Sequence, residues 1–156
     1  MALSKAQMRV KIAKDVLLNL KSENVKVTKE TYVWFEDNMP HEVCELQPYL
    51  KEKNPACHVC ALGAMLLSRI RCFDNFKRVD MSSEKYISGA QTKHGLYKYF
   101  DADQICLIEA FFEQWRSYFK PSEQDLMDKF PDPKERLIFI MKHIIRHKGT
   151  FKYGRM

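Results

Sequence analysis

The sequence predicts a mainly α-helical protein: one irregular multi-helix domain over residues 1–156, with about four long helices, several short ones and little or no sheet. Three observations predict this fold class. Apolar residues recur at helical spacing in four separate stretches. The chain contains only 5 glycines and 6 prolines, and its length is that of one ordinary domain. The connections between the four stretches are too long for a simple up-and-down bundle, so we expect irregular packing.

The first predicted helix covers residues 4–23, and Ser4 can cap its start. Its apolar positions recur every three or four residues along one face: Ala6, Val10, Ala13, Leu17 and Leu20, with Met8, Ile12 and Val16 widening it. Residues 25–38 alternate and then become aromatic, which predicts an extended piece followed by a helical turn. Residues 41–53 are predicted as a polar helix or loop broken at Pro48.

The second long helix is predicted to begin at Asn54-Pro55 and to run to about Cys72. Asparagine accepts hydrogen bonds from the free amides of a first helical turn, and proline fits the first helical position. Residues 74–99 show no sustained period, so we expect irregular structure with a short helix near 83–89.

The third long helix is predicted over residues 102–119, with a heavy apolar face that belongs in the core. A short helix is expected over 122–130, and the last long helix begins at Asp132-Pro133. Its inward residues are Leu137, Ile140, Met141, Ile144 and Ile145. Cations and Gly149 follow it, which is typical of a helix C-terminus. A basic tail at about 149–156 completes the chain.

The net charge of +6 is concentrated at the two ends of the chain. Residues 1–29 hold seven Lys or Arg against two acids, and residues 142–156 hold five against none. If these ends converge in space, they could contact an acidic partner or nucleic-acid phosphates. A solvated basic surface is the alternative.

The cysteine count and the N-terminus predict a cytoplasmic protein. The five cysteines are an odd number, and the first residues lack the apolar core of a secretory signal, so we expect free thiols in a reducing compartment. No stretch is apolar and long enough to predict a transmembrane helix, so we expect no membrane partner.

Two pairs of potential metal ligands lie close in sequence. His41 with Cys44 and Cys57 with Cys60 could close a tetrahedral zinc site. The alternative is packing: the second pair belongs to a face of small residues, continued by Ala61, Ala64 and Ser68 beside Gly63, that lets another helix approach closely. We favour packing because neither pair has the usual glycine turn around sulfur.

A catalytic interpretation of the same region is weaker. Cys60, or alternatively Cys57, at a helix N-terminus, followed by His94 and by Asp101 or Asp103, has the order of a cysteine, histidine and aspartate enzyme. However, no recognised signature surrounds the cysteine, and Asp101 at a helix start is more simply a cap. His143 and His147 lie one turn apart, which is ligand spacing, but they also suit a helix C-terminus, and we prefer that interpretation.

Three segments carry a resemblance: the box Cys60-Ala61-Leu62-Gly63-Ala64-Met65-Leu66, the segment 104–113, and the segment 136–145 leading into Gly149-Thr150-Phe151. The box is similar to the Cys-Ala-Leu-Gly-Ala segment of a group of small uncharacterised proteins of phages and bacteria. The resemblance implies a phage or prophage setting, and hence an accessory protein that acts on a component of the host cytoplasm. It implies no chemistry, and His41, Cys44 and Cys57 lie outside the box.

These observations favour a non-enzymatic binding protein whose partner is a host protein. The residues expected to contact it are Lys148, Lys152, Tyr153 and Arg155 of the basic C-terminal segment. Because aromatic residues alternate with cations there, nucleic-acid binding through the basic ends is the first alternative. A cysteine-dependent enzyme is the second. The oligomeric state is not predictable from these patterns.

Overall fold

The computed structural model describes residues 2–154. Helices hold 54% of the residues and strands 8%, so the prediction of a mainly α-helical protein is confirmed, while a small sheet is present where little or none was expected. The elements are α1 (Lys5–Asn19), β1 (Val25–Val27), β2 (Val33–Phe35), α2 (Leu46–Lys53), β3 (Cys57–Val59), α3 (Ala61–Cys72), β4 (Tyr86–Ile87), α4 (Gly89–Leu96), α5 (Ala102–Glu113), α6 (Pro121–Asp128) and α7 (Pro133–Arg146), with single 3₁₀ turns at Arg78–Asp80 and Arg116–Tyr118.

Helix α1 forms where its apolar pattern predicts it. Ser4 caps its start through a reciprocal pair of hydrogen bonds, in which the Gln7 amide donates to Ser4 Oγ at 3.1 Å and the Ser4 amide donates to Gln7 Oε1 at 2.8 Å. The buried residues of α1 include Ile12, Ala13 and Val16. They pack against α3 and α7.

Helix α3 is the centre of the core. Nine of its 12 residues are buried, and it packs against α1, α2, α4 and α5. Small side chains in its first turn let α3 lie close to its neighbours. An ideal Cβ at Gly63 would lie 1.7 Å from the carbonyl oxygen of Tyr32, which immediately precedes β2. The expected close approach therefore exists, but its partner is the backbone before a strand and not another helix.

The four strands form one sheet in the order β1-β3-β2-β4. The β1–β3 pair is parallel, and the other two pairs are antiparallel. The inner face consists of buried or half-buried apolar side chains: Val25, Val27, Val33, Phe35, Cys57, Val59 and Ile87. The outer face carries one row of side chains in register, Lys26, His58, Trp34 and Tyr86.

The predicted helix start at Asn54-Pro55 is wrong. Asn54 instead ends α2, with the positive φ of 44° that asparagine tolerates at a helix C-terminus. Pro55 and Ala56 belong to no regular element, and β3 then pairs with β1 and β2 before α3 begins at Ala61. Asparagine is common at both ends of helices, so Asn54 alone does not decide which end is present. Here the pairing of β3 with distant strands decides it.

Other boundaries differ for local reasons. Pro48 lies in the first turn of α2, where no intrahelical hydrogen bond needs its missing N–H, so it does not break the helix. The short helix expected near 83–89 lies at α4, where Ser88 provides the cap. Helix α5 stops at Glu113 and does not reach residue 119, because Gln114 adopts a left-handed φ of 62°.

Within residues 2–154, no helix is both long and apolar enough to cross a membrane. The four longest helices, α1, α3, α5 and α7, have 15, 12, 12 and 14 residues.

Candidate functional site

The two basic ends of the chain converge, because α1 packs along α7. Arg9 of α1 joins them: its Nε donates to the carbonyl of Gly149 at 2.7 Å, and its Nη1 donates to the carbonyl of Tyr99 at 3.1 Å. An ideal Cβ at Gly149 would lie 2.7 Å from the Ala6 carbonyl oxygen, so this contact requires glycine. The convergence on which the charge argument depends is therefore a property of the fold.

A groove of about 760 Å³ runs between α1 and α7. We call it the α1/α7 groove, and it is lined by Leu3, Ser4, Ala6, Gln7, Val10, Lys11, Lys14, Ile145 and Lys148. Its apolar members are partly open to solvent, and Leu3 is 39% exposed. The three lysines are exposed. The groove thus combines an apolar floor with a cationic rim.

The apolar floor of the groove exists because α1 has more apolar residues on one face than the core buries. Ala6 and Val10 belong to the face that the periodicity assigns to the core, yet both are only half-buried and line the α1/α7 groove. The buried part of α1 begins at Ile12. The open stripe of Ala6 and Val10 is available to a ligand that carries apolar side chains.

The charged side chains that line the described part of the α1/α7 groove are all positive. Among residues 2–154, those that line the groove include three lysines and no aspartate or glutamate. The acid of α1, Asp15, is held elsewhere, since its Oδ2 accepts from Arg71 Nε at 2.9 Å. Negative charge on a ligand would therefore meet uncompensated positive charge along the rim.

The C-terminal segment, residues 149–154, is docked on the protein rather than extended from it. Phe151 is 2% exposed, and its backbone is held on both sides by Gln104, whose Oε1 accepts from the Phe151 amide at 2.7 Å and whose Nε2 donates to the Phe151 carbonyl at 2.9 Å. The Gly154 amide donates to Glu123 Oε2 at 3.1 Å. These contacts fix the basic segment against α5, α6 and α7.

This docking separates the residues that the sequence assigned to partner binding. Lys148 and Lys152 are exposed, and only Lys148 lines the α1/α7 groove. Tyr153 is half-buried and stacks on Phe111, with ring centroids 5.9 Å apart. Arg155 lies outside the described residues.

His143 anchors the docked segment. It is 3% exposed, and its Nε2 accepts from the Lys152 amide at 3.0 Å. The rings of Phe151 and Tyr153 lie 5.3 and 4.4 Å from its ring centroid. Burial, together with the positive charges of nearby side chains including His147, lowers the pKa of His143 to about 4. The residue is therefore a neutral hydrogen-bond acceptor at neutral pH, and its role is structural.

We expect acid to destabilise the protein through His143. The folded state holds its pKa below the ordinary value of 6.5, so the contribution is complete above pH 6.5 and is lost as the pH falls from 6.5 towards 4. The loss amounts to as much as about 3 kcal/mol. Urea unfolding at a series of pH values checks this. The matched variant His143→Gln keeps an acceptor but does not titrate, so its stability should fall less over the same range. If the free energy of unfolding fell equally with pH in wild type and in His143→Gln, this role of His143 would be contradicted.

Cys60 lies at the N-terminus of α3 within a buried polar cluster that the sequence analysis missed. Tyr32 OH donates to Glu109, and Lys93 Nζ lies 3.1 Å from the same carboxylate. Glu113, one turn further along α5, accepts from the Glu30 amide at 3.2 Å. Two acids four residues apart on an otherwise apolar helix face were the available signal for this cluster.

The environment of Cys60 does not activate a nucleophile. The side chain is 3% exposed, and burial raises the pKa of its thiol to about 12, although the backbone amides of Gly63 and Leu62 act in the opposite direction. A thiol with so high a pKa is protonated at neutral pH and reacts slowly. Burial also raises the pKa of Glu113. The acids of the cluster are therefore desolvated but paired: Glu109 with Tyr32 and Lys93, and Glu113 with the Glu30 amide.

The structure gives the other two catalytic candidates separate roles. Asp101 Oδ1 accepts from the Gln104 amide at 2.9 Å and caps α5, as the simpler interpretation predicted. His94 lies on α4 in a different groove, beside Arg69 and Lys98. Within residues 2–154, no hydrogen bond joins Cys60, His94 and Asp101 to one another.

The four proposed zinc ligands do not assemble. His41 and Cys44 are exposed in the segment before α2. Cys57 is buried on the inner face of the sheet, where burial raises the pKa of its thiol to about 11, and Cys60 lies in the polar cluster. Across residues 2–154, no three histidine, cysteine, aspartate or glutamate side chains are grouped so that they could hold a metal ion.

Comparison with protein-family models, curated proteins and solved structures finds no match to this chain. The resemblance of the Cys60–Leu66 segment to phage and bacterial proteins therefore stays a prediction, and the function has to be inferred from the surface of the protein itself.

Proposed function

We propose that this protein is a binding module that receives an acidic, amphipathic helical segment of a partner protein in the α1/α7 groove. One observation carries the proposal: the two basic ends of the chain form a single groove whose floor is apolar and whose rim is cationic. An amphipathic helix places apolar side chains on one face and charges on the other. Its apolar face would lie on the floor, and its acids would lie near the lysines of the rim.

The apolar floor favours a protein partner over nucleic acid. Nucleic acids are bound mainly through their phosphates, which the lysines alone could contact. Leu3, Val10 and Ile145 would then remain exposed to water. A helical peptide covers both kinds of surface, which is the better match to the groove as a whole.

Fluorescence polarisation tests the proposal with a labelled helical peptide that carries leucine along one face and glutamate along the other. We expect saturable binding that weakens with salt, because exposed charges are screened. Reversing one charge on each wall, with Lys14→Glu and Lys148→Glu together, should weaken binding by about tenfold or more, since each exposed pair contributes up to about 1 kcal/mol. Val10→Gln should weaken binding without changing its salt dependence.

The matched control reverses two exposed lysines away from the α1/α7 groove, Lys129→Glu with Lys134→Glu. It changes the net charge equally and should leave the peptide affinity within about twofold of wild type. A scrambled peptide of the same composition should bind weakly, because it has no apolar face. Equal binding of the scrambled peptide, or tighter binding of a single-stranded oligothymidylate, would refute the proposal.

A further inference from the structure

A second groove, of about 1040 Å³, lies on a different part of the surface. One wall is formed by α4, and the other by residues 75–80, with Arg69 from the last turn of α3 between them. We call it the α4 groove. It shares no lining residue with the α1/α7 groove. Its size is that of a small-molecule site.

Arg69 is the most informative residue of the α4 groove. Its side chain is 12% exposed, and its Nε is buried without a hydrogen-bond partner within residues 2–154. Its Nη2 lies 3.7 Å from Asp74 Oδ2, which is an ion pair at more than hydrogen-bond length. Because Nε is enclosed, a ligand in the α4 groove would bind the guanidinium through its Nη atoms, where the long ion pair to Asp74 leaves the charge incompletely paired.

The packing of α4 keeps Arg69 at the groove. An ideal Cβ at Gly95 would lie 2.6 Å from Leu66 Cδ1 and 3.9 Å from Arg69 Nη1. With no side chain at this position, α4 lies close to α3 while the guanidinium still lines the groove.

Further cations lie on both walls. Lys77 belongs to the segment 75–80 and is exposed, whereas Lys98 follows α4 and lies 3.0 Å from Asp74. His94 projects from the same wall as Lys98. Within residues 2–154, Asp80 is the one carboxylate that lines the α4 groove. Arg69 and Lys98 share one carboxylate, Asp74, so with Lys77 these cations still outnumber Asp74 and Asp80 by one. An arginine with two lysines supplies the several donors that the oxygens of a phosphate group accept from.

The α4 groove also has an apolar part. Val79 is 84% exposed, whereas Phe76, which also lines the groove, is only 9% exposed. A free inorganic ion would leave this part empty. We propose that the α4 groove binds an organic phosphate, with Arg69, Lys77 and Lys98 at the phosphate and with Val79 against the organic part. This site is separate from the proposed peptide site and does not depend on it.

Adenosine monophosphate is a suitable probe, followed by two-dimensional NMR of the labelled full chain. We expect saturable shifts confined to the amides of residues 69–80 and 89–98. Lys77→Glu, an exposed change, should weaken binding by about tenfold, and Arg69→Leu by about thirtyfold, as expected for a lost hydrogen bond to a charged group. Lys129→Glu makes the same charge change elsewhere and should leave the affinity unaltered.

Three results would overturn the assignment: no saturable shift at about 10 mM probe, a limit that corresponds to a binding free energy of about 3 kcal/mol; equal weakening by Lys77→Glu and Lys129→Glu; or inorganic phosphate binding as tightly as the nucleotide. The acidic peptide should bind Lys77→Glu as it binds wild type. Failure of one site therefore does not affect the test of the other.

Discussion

Replacing Gly63 by alanine is expected to destabilise the protein by at least about 3 kcal/mol, the upper end of the usual cost of overpacking. An ideal Cβ at this position would lie 1.7 Å from the carbonyl oxygen of Tyr32 and 2.6 Å from its carbonyl carbon. Backbone cannot rotate away as a side chain can. Either α3 or the segment before β2 must therefore move, and both belong to the core.

The direction of the stability change in Gly63→Ala shows whether packing or helix propensity dominates at this position. Alanine is about 1 kcal/mol better than glycine inside a helix, so propensity alone predicts that Gly63→Ala stabilises α3. Urea unfolding measures which effect is larger.

Gly95→Ala is the matched control. It is also a glycine inside a helix, but its new Cβ would meet Leu66 Cδ1, the end of a flexible side chain. We expect Gly95→Ala to lose less stability than Gly63→Ala, because the Leu66 side chain, although fully buried, can shift where backbone cannot. If Gly63→Ala were as stable as Gly95→Ala, the close approach to Tyr32 would be wrong.

Replacing Arg136 by alanine is expected to cost about 3–5 kcal/mol, because the change removes hydrogen bonds from a buried charged donor and leaves a cavity. Arg136 is fully buried. Its Nε donates to the Phe112 carbonyl at 2.7 Å and its Nη1 donates to the Phe130 carbonyl at 2.6 Å. These carbonyls lie near the ends of α5 and α6, where the helices leave acceptors free, so one side chain joins three helices. The substitution removes both hydrogen bonds and opens a cavity.

Arg136→Met separates the two contributions, because methionine fills most of the volume but donates no hydrogen bond. We expect its stability to lie between those of wild type and Arg136→Ala, as measured by thermal and urea unfolding. A methionine variant more stable than wild type would show that desolvation of the guanidinium costs more than its hydrogen bonds contribute.

Helices were predictable where apolar residues recur every three or four positions over several turns. The apolar spacing that begins at Ala6 and the one that begins at Leu137 both lie in helices of the folded protein. Alternation in residues 25–38 predicted the extended backbone of β1, but the aromatic part expected to form a helical turn is β2 instead. The pairing of the strands into a sheet was not predictable, because strands of two or three residues carry too little pattern to identify their partners. Asn54 illustrates the remaining ambiguity, since asparagine stabilises either end of a helix and only the distant partners of β3 decide between them.

The candidate site was predictable in its charge but not in its position. Counting lysines and arginines shows that both ends of the chain are basic. That these ends meet depends on how α1 packs against α7, which no local pattern contains. The same limit explains why Tyr153 was assigned to a partner although it packs on Phe111, and why Arg69 was overlooked.

The position of β3 has a consequence for how fast the chain folds. This strand is central in the sheet, and both of its neighbours, β1 and β2, precede it in sequence, with α2 in the intervening segment. The helices can form from local contacts, whereas β3 can pair only after that segment closes into a loop, at a cost in chain entropy. We therefore expect the sheet, although it is a small part of the structure, to limit the folding rate. Substitutions that stiffen the segment between β2 and β3 should change kinetics more than stability.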